Sequence, residues 1–264
     1  MENPAVAGVL VALIVPFLGN TLGAALVFLM RHGMSERFTK ALLGFAAGVM
    51  IAASVWSLIT PALEAAEGGP VPAWAPAAVG FLGGMLLLLA IDHFTPHLHV
   101  GSDEPEGPVT TLKKPTMMLF ALAIHNLPEG MAVGVVLAGF LAGDPTITLA
   151  SVVALALGIA IQNVPEGAVV SLPLTANGMS RPKAFLAGTL CGAVEPVGAV
   201  LMVAITGLVT PLLPYVLAFA AGAMMYVVTE ELIPQTQQGR HTNIGTIGVA
   251  FGFVLMMVLD VALG

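Results

Sequence analysis

Residues 116–140 read TMMLFALAIHNLPEGMAVGVVLAGF, and this stretch decides the fold because it is long and apolar enough to cross a bilayer. Its charged or titratable residues are His125 and Glu129, and it contains no lysine or arginine. Seven other segments have the same character, so the sequence predicts an all-α polytopic membrane protein. The eight predicted transmembrane helices, called spans 1–8, are Ala5–Met30, Ala41–Leu63, Val71–Asp92, Thr116–Phe140, Thr146–Ala176, Ala184–Gly207, Leu212–Ile233 and Asn243–Leu263.

The composition of the chain supports a membrane location. Of its 264 residues, 58% are hydrophobic and 9% are charged, whereas a soluble domain carries about 25% charged residues. A soluble enzyme and a disordered chain are therefore both excluded. A single cysteine, Cys191, excludes a disulfide framework, and the net charge of −7 argues against a nucleic-acid partner. We expect one transmembrane domain, 1–264, with residues 96–115 forming its longest loop.

The basic residues predict the orientation of the chain. All eight follow spans 1, 3, 5 or 7, and none lies between the other spans. The positive-inside rule then places both termini outside and the loop 96–115 in the cytoplasm. We expect the membrane to be the cytoplasmic (inner) membrane of a prokaryote. The residues used are Arg31, Arg37, Lys40, Lys113, Lys114, Arg181, Lys183 and Arg240.

Internal repeats indicate a symmetric transporter. The sequence FAAG occurs at 45–48 in span 2 and again at 219–222 in span 7. Spans 1–3 therefore resemble spans 6–8, and the odd number of spans between the copies makes the repeat inverted. HNLPEG at 125–130 in span 4 similarly matches QNVPEG at 162–167 in span 5. Inverted repeats around a midplane site are typical of secondary transporters. Further aligned pairs are Asn20 with Glu195 and, loosely, Asp92 with Asp260.

Three glutamates lie near the middle of predicted spans, and their negative charge needs a compensating partner. Glu129, Glu166 and Glu195 each cost at least about 2.5–3.5 kcal/mol at the centre of a membrane helix. Because no predicted span contains a lysine or arginine, only protons or bound cations remain to balance these charges.

The neighbouring residues favour a divalent transition metal. His125 lies four residues before Glu129, and Gln162 lies four residues before Glu166, so each pair shares one helix face. Asn126 and Asn163 add amide oxygens. Imidazole disfavours a pure Mg²⁺ or Ca²⁺ site, and the lack of thiolate disfavours Cu⁺. Zn²⁺ fits best, with Cd²⁺, Fe²⁺ and Mn²⁺ remaining open; we expect no organic cofactor.

The two hexapeptides resemble the paired signatures of the ZIP (zinc/iron-regulated-transporter-like) family of divalent-metal transporters. The resemblance implies a 3+2+3 inverted-repeat bundle that imports metal through a binuclear midplane site by an elevator-like, alternating-access mechanism. One metal position would use His125, Glu129, Gln162 and Glu166. The other would use Asn126, Asn163 and Glu195, with Glu129 and Glu166 bridging. Some relatives carry Asp where this chain has Asn163, which leaves occupancy of the second position open.

Secondary positions have weaker signals. Asp92 and His93 end span 3, and Glu230 and Glu231 end span 7, so these four residues are candidates for the cytoplasmic exit path, at even odds with simple headgroup solvation. For the loop residues His97, His99, Asp103, Glu104 and Glu106, a solvated loop is favoured over a metal-sensing one. Asn20 either lines the ion path or bonds another helix. We expect Asp260 to lie in headgroup water.

Two other function classes remain open at this stage. An intramembrane metalloenzyme would use Glu129 or Glu166 as a base, but no HExxH sequence is present. A proton- or Na⁺-conducting protein would use the carboxylates alone, and His125 argues mildly against it. The expected partners are divalent metal ions and lipid, with a homodimer among the oligomeric states to consider.

Overall fold

The chain folds into a bundle of long helices. The computed structural model describes residues 4–30, 34–98, 105–112, 114–176 and 178–263. Within these residues, eight helices are long and apolar enough to cross a membrane, which confirms the predicted all-α fold. They are α1 (Pro4–Leu29), α2 (Glu36–Ala65), α3 (Trp74–Phe94), α4 (Lys114–Leu141), α5 (Leu149–Ala176), α6 (Arg181–Ala204), α7 (Gly207–Gln237) and α8 (Ile244–Leu263).

Helix α2 begins earlier than the sequence predicts. Ser35 precedes its first turn and accepts a hydrogen bond from the backbone N–H of Phe38, as a helix N-cap does. The helix therefore includes Arg37 and Lys40. Helix α4 likewise begins at Lys114, and α6 includes Arg181 and Lys183, so the prediction that no basic residue lies in a span is corrected. Lys40 is buried, with its ammonium 2.8 Å from a carboxylate oxygen of Glu36 and donating to the carbonyl of Arg240 at 2.9 Å. Of the basic residues used for orientation, Arg31 and Lys113 lie outside the described residues.

Helix packing follows the predicted inverted repeat. The most extensive helix contacts join α1 to α5, α2 to α8, α3 to α7, and α4 to α6. If α1–α3 correspond to α6–α8 and α4 corresponds to α5, the α1–α5 pair maps onto α6–α4. The α2–α8 pair likewise maps onto α7–α3. The eight helices thus form two groups, α1/α4/α5/α6 and α2/α3/α7/α8, each built from two equivalent pairs.

A glycine lies at a close approach in each of these four helix pairs. A β-carbon added at any of them would lie 2.0–2.2 Å from a backbone carbonyl oxygen of the facing helix. Small residues of this kind let membrane helices pack backbone to backbone. The four positions are Gly23 in α1, Gly44 in α2, Gly84 in α3 and Gly130 in α4.

Helices α2 and α7 contain π-helical turns at equivalent places, at Ser54–Ile59 and at Val228–Leu232. Each turn begins nine residues after the phenylalanine of its FAAG sequence. A π-turn adds a residue to the helical repeat and so redirects the side chains that follow it. The hydropathy pattern of the sequence gives no sign of either turn.

Helix α6 is interrupted at Ala193, between segments Arg181–Gly192 and Val194–Ala204. Pro196 explains the break, because it lacks an N–H and its ring would collide with the carbonyl of Gly192 in a regular helix. In contrast, α4 and α5 stay helical through Pro128 and Pro165, the prolines of the two hexapeptides.

The described part of the loop 96–115 is folded against the bundle. His97 and Glu106 exchange two backbone hydrogen bonds, of 3.2 and 2.9 Å. Leu98 is buried against Met117 and Met118 at the start of α4. Of the loop residues considered from the sequence, His99, Asp103 and Glu104 lie outside the described residues.

Candidate metal centre

Seven polar side chains predicted as metal ligands meet inside the bundle. Each is at most 4% exposed. The middle of α4 and the middle of α5 carry three each, and α6 contributes one just after its break. The seven residues are His125, Asn126, Glu129, Gln162, Asn163, Glu166 and Glu195.

The two hexapeptides pair across α4 and α5 in a symmetric way. Gln162 donates its amide N–H to a carboxylate oxygen of Glu129 at 2.6 Å. In the equivalent pair, the Nε2 atom of His125 lies 3.6 Å from a carboxylate oxygen of Glu166, which is too long for a hydrogen bond. The first residue of each hexapeptide therefore faces the glutamate of the other.

Many polar atoms of this cluster are buried without a hydrogen-bond partner. Ligand atoms of His125, Glu129 and Glu166 all lie within 4.8 Å of one another. Native proteins rarely leave such groups unsatisfied without a functional reason. Nitrogen and oxygen donors that converge in this way suit a tetrahedral Zn²⁺ ion. The unpartnered atoms are Nε2 of His125, both amide atoms of Asn126, Oε2 of Glu129, Oε1 of Gln162, both carboxylate oxygens of Glu166 and Oε1 of Glu195.

Glu231 of α7 completes the surroundings of His125. Its carboxylate lies 2.7 Å from the Nδ1 atom of the imidazole and its side chain is 14% exposed. Because a carboxylate accepts hydrogen bonds, Nδ1 carries the proton, and in the neutral imidazole the lone pair of Nε2 points into the cluster. A carboxylate behind a histidine in this way orients and strengthens it as a ligand.

The other candidates for the exit path lie elsewhere. Glu230, next to Glu231, is exposed. His93 is also exposed, with its ring against Phe94. Asp92 accepts hydrogen bonds from the hydroxyl of Tyr226 at 3.0 Å and from His97. The structure therefore brings Glu231, but not these three residues, to the central cluster.

His97 corrects the expectation of a solvated loop, since it is 0% exposed. Its Nε2 lies 2.9 Å from Asp92, and its Nδ1 lies 2.7 Å from the carbonyl of Thr95. Two acceptors favour the doubly protonated ring, and the hydrogen bond to Asp92 raises the pKa of His97 from 6.5 to about 9. Asp92, His97 and Glu106 place ligand atoms within 4.8 Å of one another, but an imidazolium has no lone pair to offer a metal.

Two further sequence interpretations are decided by hydrogen bonds. Asp260 is only 8% exposed and accepts a 2.6 Å bond from Ser57, so its expected place in headgroup water was wrong. Asn20 donates to the carbonyl of Gly188 in α6 at 2.9 Å, which favours its role in helix packing.

Sequence comparisons agree with this architecture, an integral membrane protein whose helices enclose a histidine, carboxylate and amide cluster. The model of the ZIP zinc transporter family matches residues 114–260, more than half of the chain. The chain therefore belongs to the ZIP family and is a metal transporter rather than an enzyme.

Relatives match almost the whole length. Zinc transporter ZIPB of Bordetella bronchiseptica is 42% identical over 253 residues, covering 94% of this chain and 79% of that protein. Zinc transporter ZIP11 of Xenopus tropicalis is 37% identical, covering 92% and 93% respectively. Zinc transporter ZupT of Chlorobium luteolum is 36% identical, covering 90% and 91%.

Proposed function

We propose that the chain imports Zn²⁺ into the cytoplasm through the cluster between α4 and α5. The observation that carries this proposal is the set of four unpartnered donors: Nε2 of His125, Oε2 of Glu129, Oε1 of Gln162 and a carboxylate oxygen of Glu166. Four nitrogen and oxygen donors match the tetrahedral preference of Zn²⁺. The names of the relatives, all zinc transporters, support the same ion.

Binding exchanges internal hydrogen bonds for metal ligands. The amide of Gln162 turns its N–H away from Glu129 and presents its oxygen to the arriving ion. The two glutamates supply the negative charge that a dehydrated divalent cation needs in a low-dielectric site. His125 keeps its bond to Glu231 throughout, so its ring is already oriented when the ion arrives.

A chain of cavities supports a release route between α2, α5 and α7. A cavity of about 30 Å³ lies beside His125, Glu166 and Glu231, which is room for a water molecule. A second cavity, of about 320 Å³, leads on to Lys40 and Gln238. The two cavities share the lining residues Leu43, Val169 and Gln235.

The opposite side of the cluster is closed. The pocket between α1, α4 and α6, which reaches Glu195, has about 0 Å³ of space for water. Under the positive-inside orientation, the open side bears Lys40 and Arg240 and faces the cytoplasm. The structure then corresponds to an inward-facing, releasing state. Transport requires a second state in which the group α1/α4/α5/α6 has moved against α2/α3/α7/α8.

Uptake of radiolabelled Zn²⁺ by liposomes containing the purified chain tests the proposed site. We expect Glu129→Ala/Glu166→Ala to reduce uptake to the level of protein-free liposomes, because two of the four ligands are lost. Glu67→Ala, which removes an exposed acid outside the cluster, is the matched control and should transport like the parent. Parent-like uptake by the double variant would exclude this site.

Sidedness is tested separately with single cysteines. In a Cys191→Ser chain, a cysteine replacing Glu67 should react with an impermeant thiol reagent added outside intact cells. A cysteine replacing Arg240 should react only in inverted vesicles. The reverse pattern would contradict the proposed direction of import.

A further inference from the structure

Both N–H groups of Asn163 are hydrogen-bonded. Its amide nitrogen donates to a carboxylate oxygen of Glu195 at 2.7 Å and to the carbonyl of Pro16 at 3.2 Å. Its oxygen lies 3.5 Å from the amide nitrogen of Gln162. Asn126, at the equivalent place in the α4 hexapeptide, has both amide atoms buried without a partner. The two asparagines therefore have the same position in the repeat but different surroundings.

The amide of Asn163 joins three helices. It projects from α5, bonds Pro16 in α1 and bonds Glu195 in α6. All three helices belong to the group α1/α4/α5/α6, and α1 and α6 line the closed pocket that reaches Glu195. Rotating the amide to offer its oxygen to an ion would break both bonds made by its nitrogen. Gln162 differs, because its oxygen is free and its one short bond goes to Glu129.

Glu195 is consequently held apart from the first metal position. The residues whose ligand atoms converge within 4.8 Å are His125, Glu129 and Glu166, and Glu195 is not among them. One carboxylate oxygen of Glu195 is occupied by an N–H group at 2.7 Å. A second ion shared by Glu195 and residue 163 would have to displace this N–H group.

We propose that Asn163 is a positioning residue that substitutes for the second metal ion, so that the centre of this transporter binds one divalent ion. This inference rests on the proposed function of the cluster. Three carboxylates line the two positions expected from the family resemblance, those of Glu129, Glu166 and Glu195. The amide of Asn163 is neutral and adds no charge that would help to balance a second buried ion. An aspartate at 163 would add a negative charge and remove the competing N–H donor.

Metal stoichiometry tests this inference on the full chain in lipid nanodiscs. The separate Asp92 group is the same in every sample, so any metal bound there is subtracted with the baseline. Bound Cd²⁺ is counted after equilibrium dialysis, and a His125→Ala/Glu166→Ala chain gives the baseline. We expect one ion above the baseline for the parent and two for Asn163→Asp. X-ray absorption on Zn²⁺-loaded samples should show a metal neighbour at roughly 3.5–4 Å only in Asn163→Asp.

The possible results distinguish a failure of the inference about Asn163 from a failure of the proposed transport site. Two central ions in the parent, or metal–metal scattering from it, would overturn the role of Asn163 while leaving the transport site intact. No central ion in the parent would instead remove the proposed site itself. A folded Asn163→Asp chain that still binds one ion would also overturn the inference. If that variant does not fold, the parent count and its absorption spectrum decide the question.

Discussion

Replacing Gly130 with alanine tests whether the metal centre depends on close packing of α4 against α6. A β-carbon at this position would lie 2.2 Å from the carbonyl oxygen of Glu195 and 2.7 Å from its α-carbon. Ordinary contact begins at 3.4 Å, so α6 would have to move away from α4 by about 1.2 Å at this point. Both obstructing atoms belong to the backbone, so no side-chain rotation can relieve the clash.

The expected effect has a stability part and a functional part. Overpacking of this kind costs roughly 1–3 kcal/mol, offset by up to about 1 kcal/mol that alanine gains over glycine within a helix. The displacement also moves Glu195, whose hydrogen bond with Asn163 links α6 to α5, relative to Glu129, the residue next to Gly130. Because misplacement by about 1 Å can cost roughly 10²-fold in a preorganised site, we expect Zn²⁺ uptake to fall by at least about tenfold.

Gly198→Ala is the matched control, since it changes a glycine of α6 at the same interface. Its β-carbon would lie 3.3 Å from the backbone nitrogen of Met131, a contact that a shift of a few tenths of an ångström relieves. Initial rates of radiolabelled Zn²⁺ uptake and melting temperatures are measured for both variants. Gly198→Ala should stay close to the parent in both. Parent-like uptake and melting of Gly130→Ala would refute the packing argument.

Three further predictions concern the release route, the loop and the helix packing. Gln235→Cys, made in a Cys191→Ser chain, should react with a cationic thiol reagent added from the cytoplasmic side, and Zn²⁺ should slow this reaction. Labelling only from the other side would contradict the proposed release route. His97→Gln should lower the melting temperature most below pH 6.5, where the raised pKa of His97, about 9, keeps its ion pair intact. That difference should disappear as the pH rises through about 9, and a difference independent of pH would argue against the ion pair. Asn20→Ala should destabilise the chain by roughly 1–2 kcal/mol, because a buried amide loses its bond to α6, with Zn²⁺ affinity unchanged. A parallel loss of affinity would place Asn20 on the ion path.

The parts of the fold that follow from local sequence were predictable. Eight long apolar segments specify eight helices, because each must satisfy its backbone within the membrane. The matched hexapeptides place His125 opposite Glu166 and Gln162 opposite Glu129, because residues with the same spacing on two equivalent helices lie on equivalent helix faces. The burial of the glutamates follows from their position in the middle of apolar spans.

Features that depend on contacts between distant segments were not predictable in this way. Glu230 and Glu231 are adjacent, chemically alike and part of the same π-turn, yet Glu231 is the one that reaches His125. His97 is buried because Asp92, at the end of α3, lies beside the loop. The break in α6 has a local cause in Pro196, which cannot continue a regular helix.

The symmetry of the bundle predicts which cavity opens in the outward-facing state of the proposed transport cycle. The repeat that relates α4 to α5 also exchanges α2 with α7, and it carries Glu231 onto Ser57. The open cavity beside His125 and Glu166, between α2, α5 and α7, therefore has a counterpart between α7, α4 and α2, beside Gln162 and Glu129. In this structure Ser57 is buried, and its hydroxyl donates to Asp260 of α8. Because inverted repeats exchange conformations between the two faces of the membrane, we expect this counterpart to open to the outside when the first cavity closes. The ion would then arrive beside Gln162 and Glu129 and leave beside His125 and Glu166, without moving relative to its four ligands.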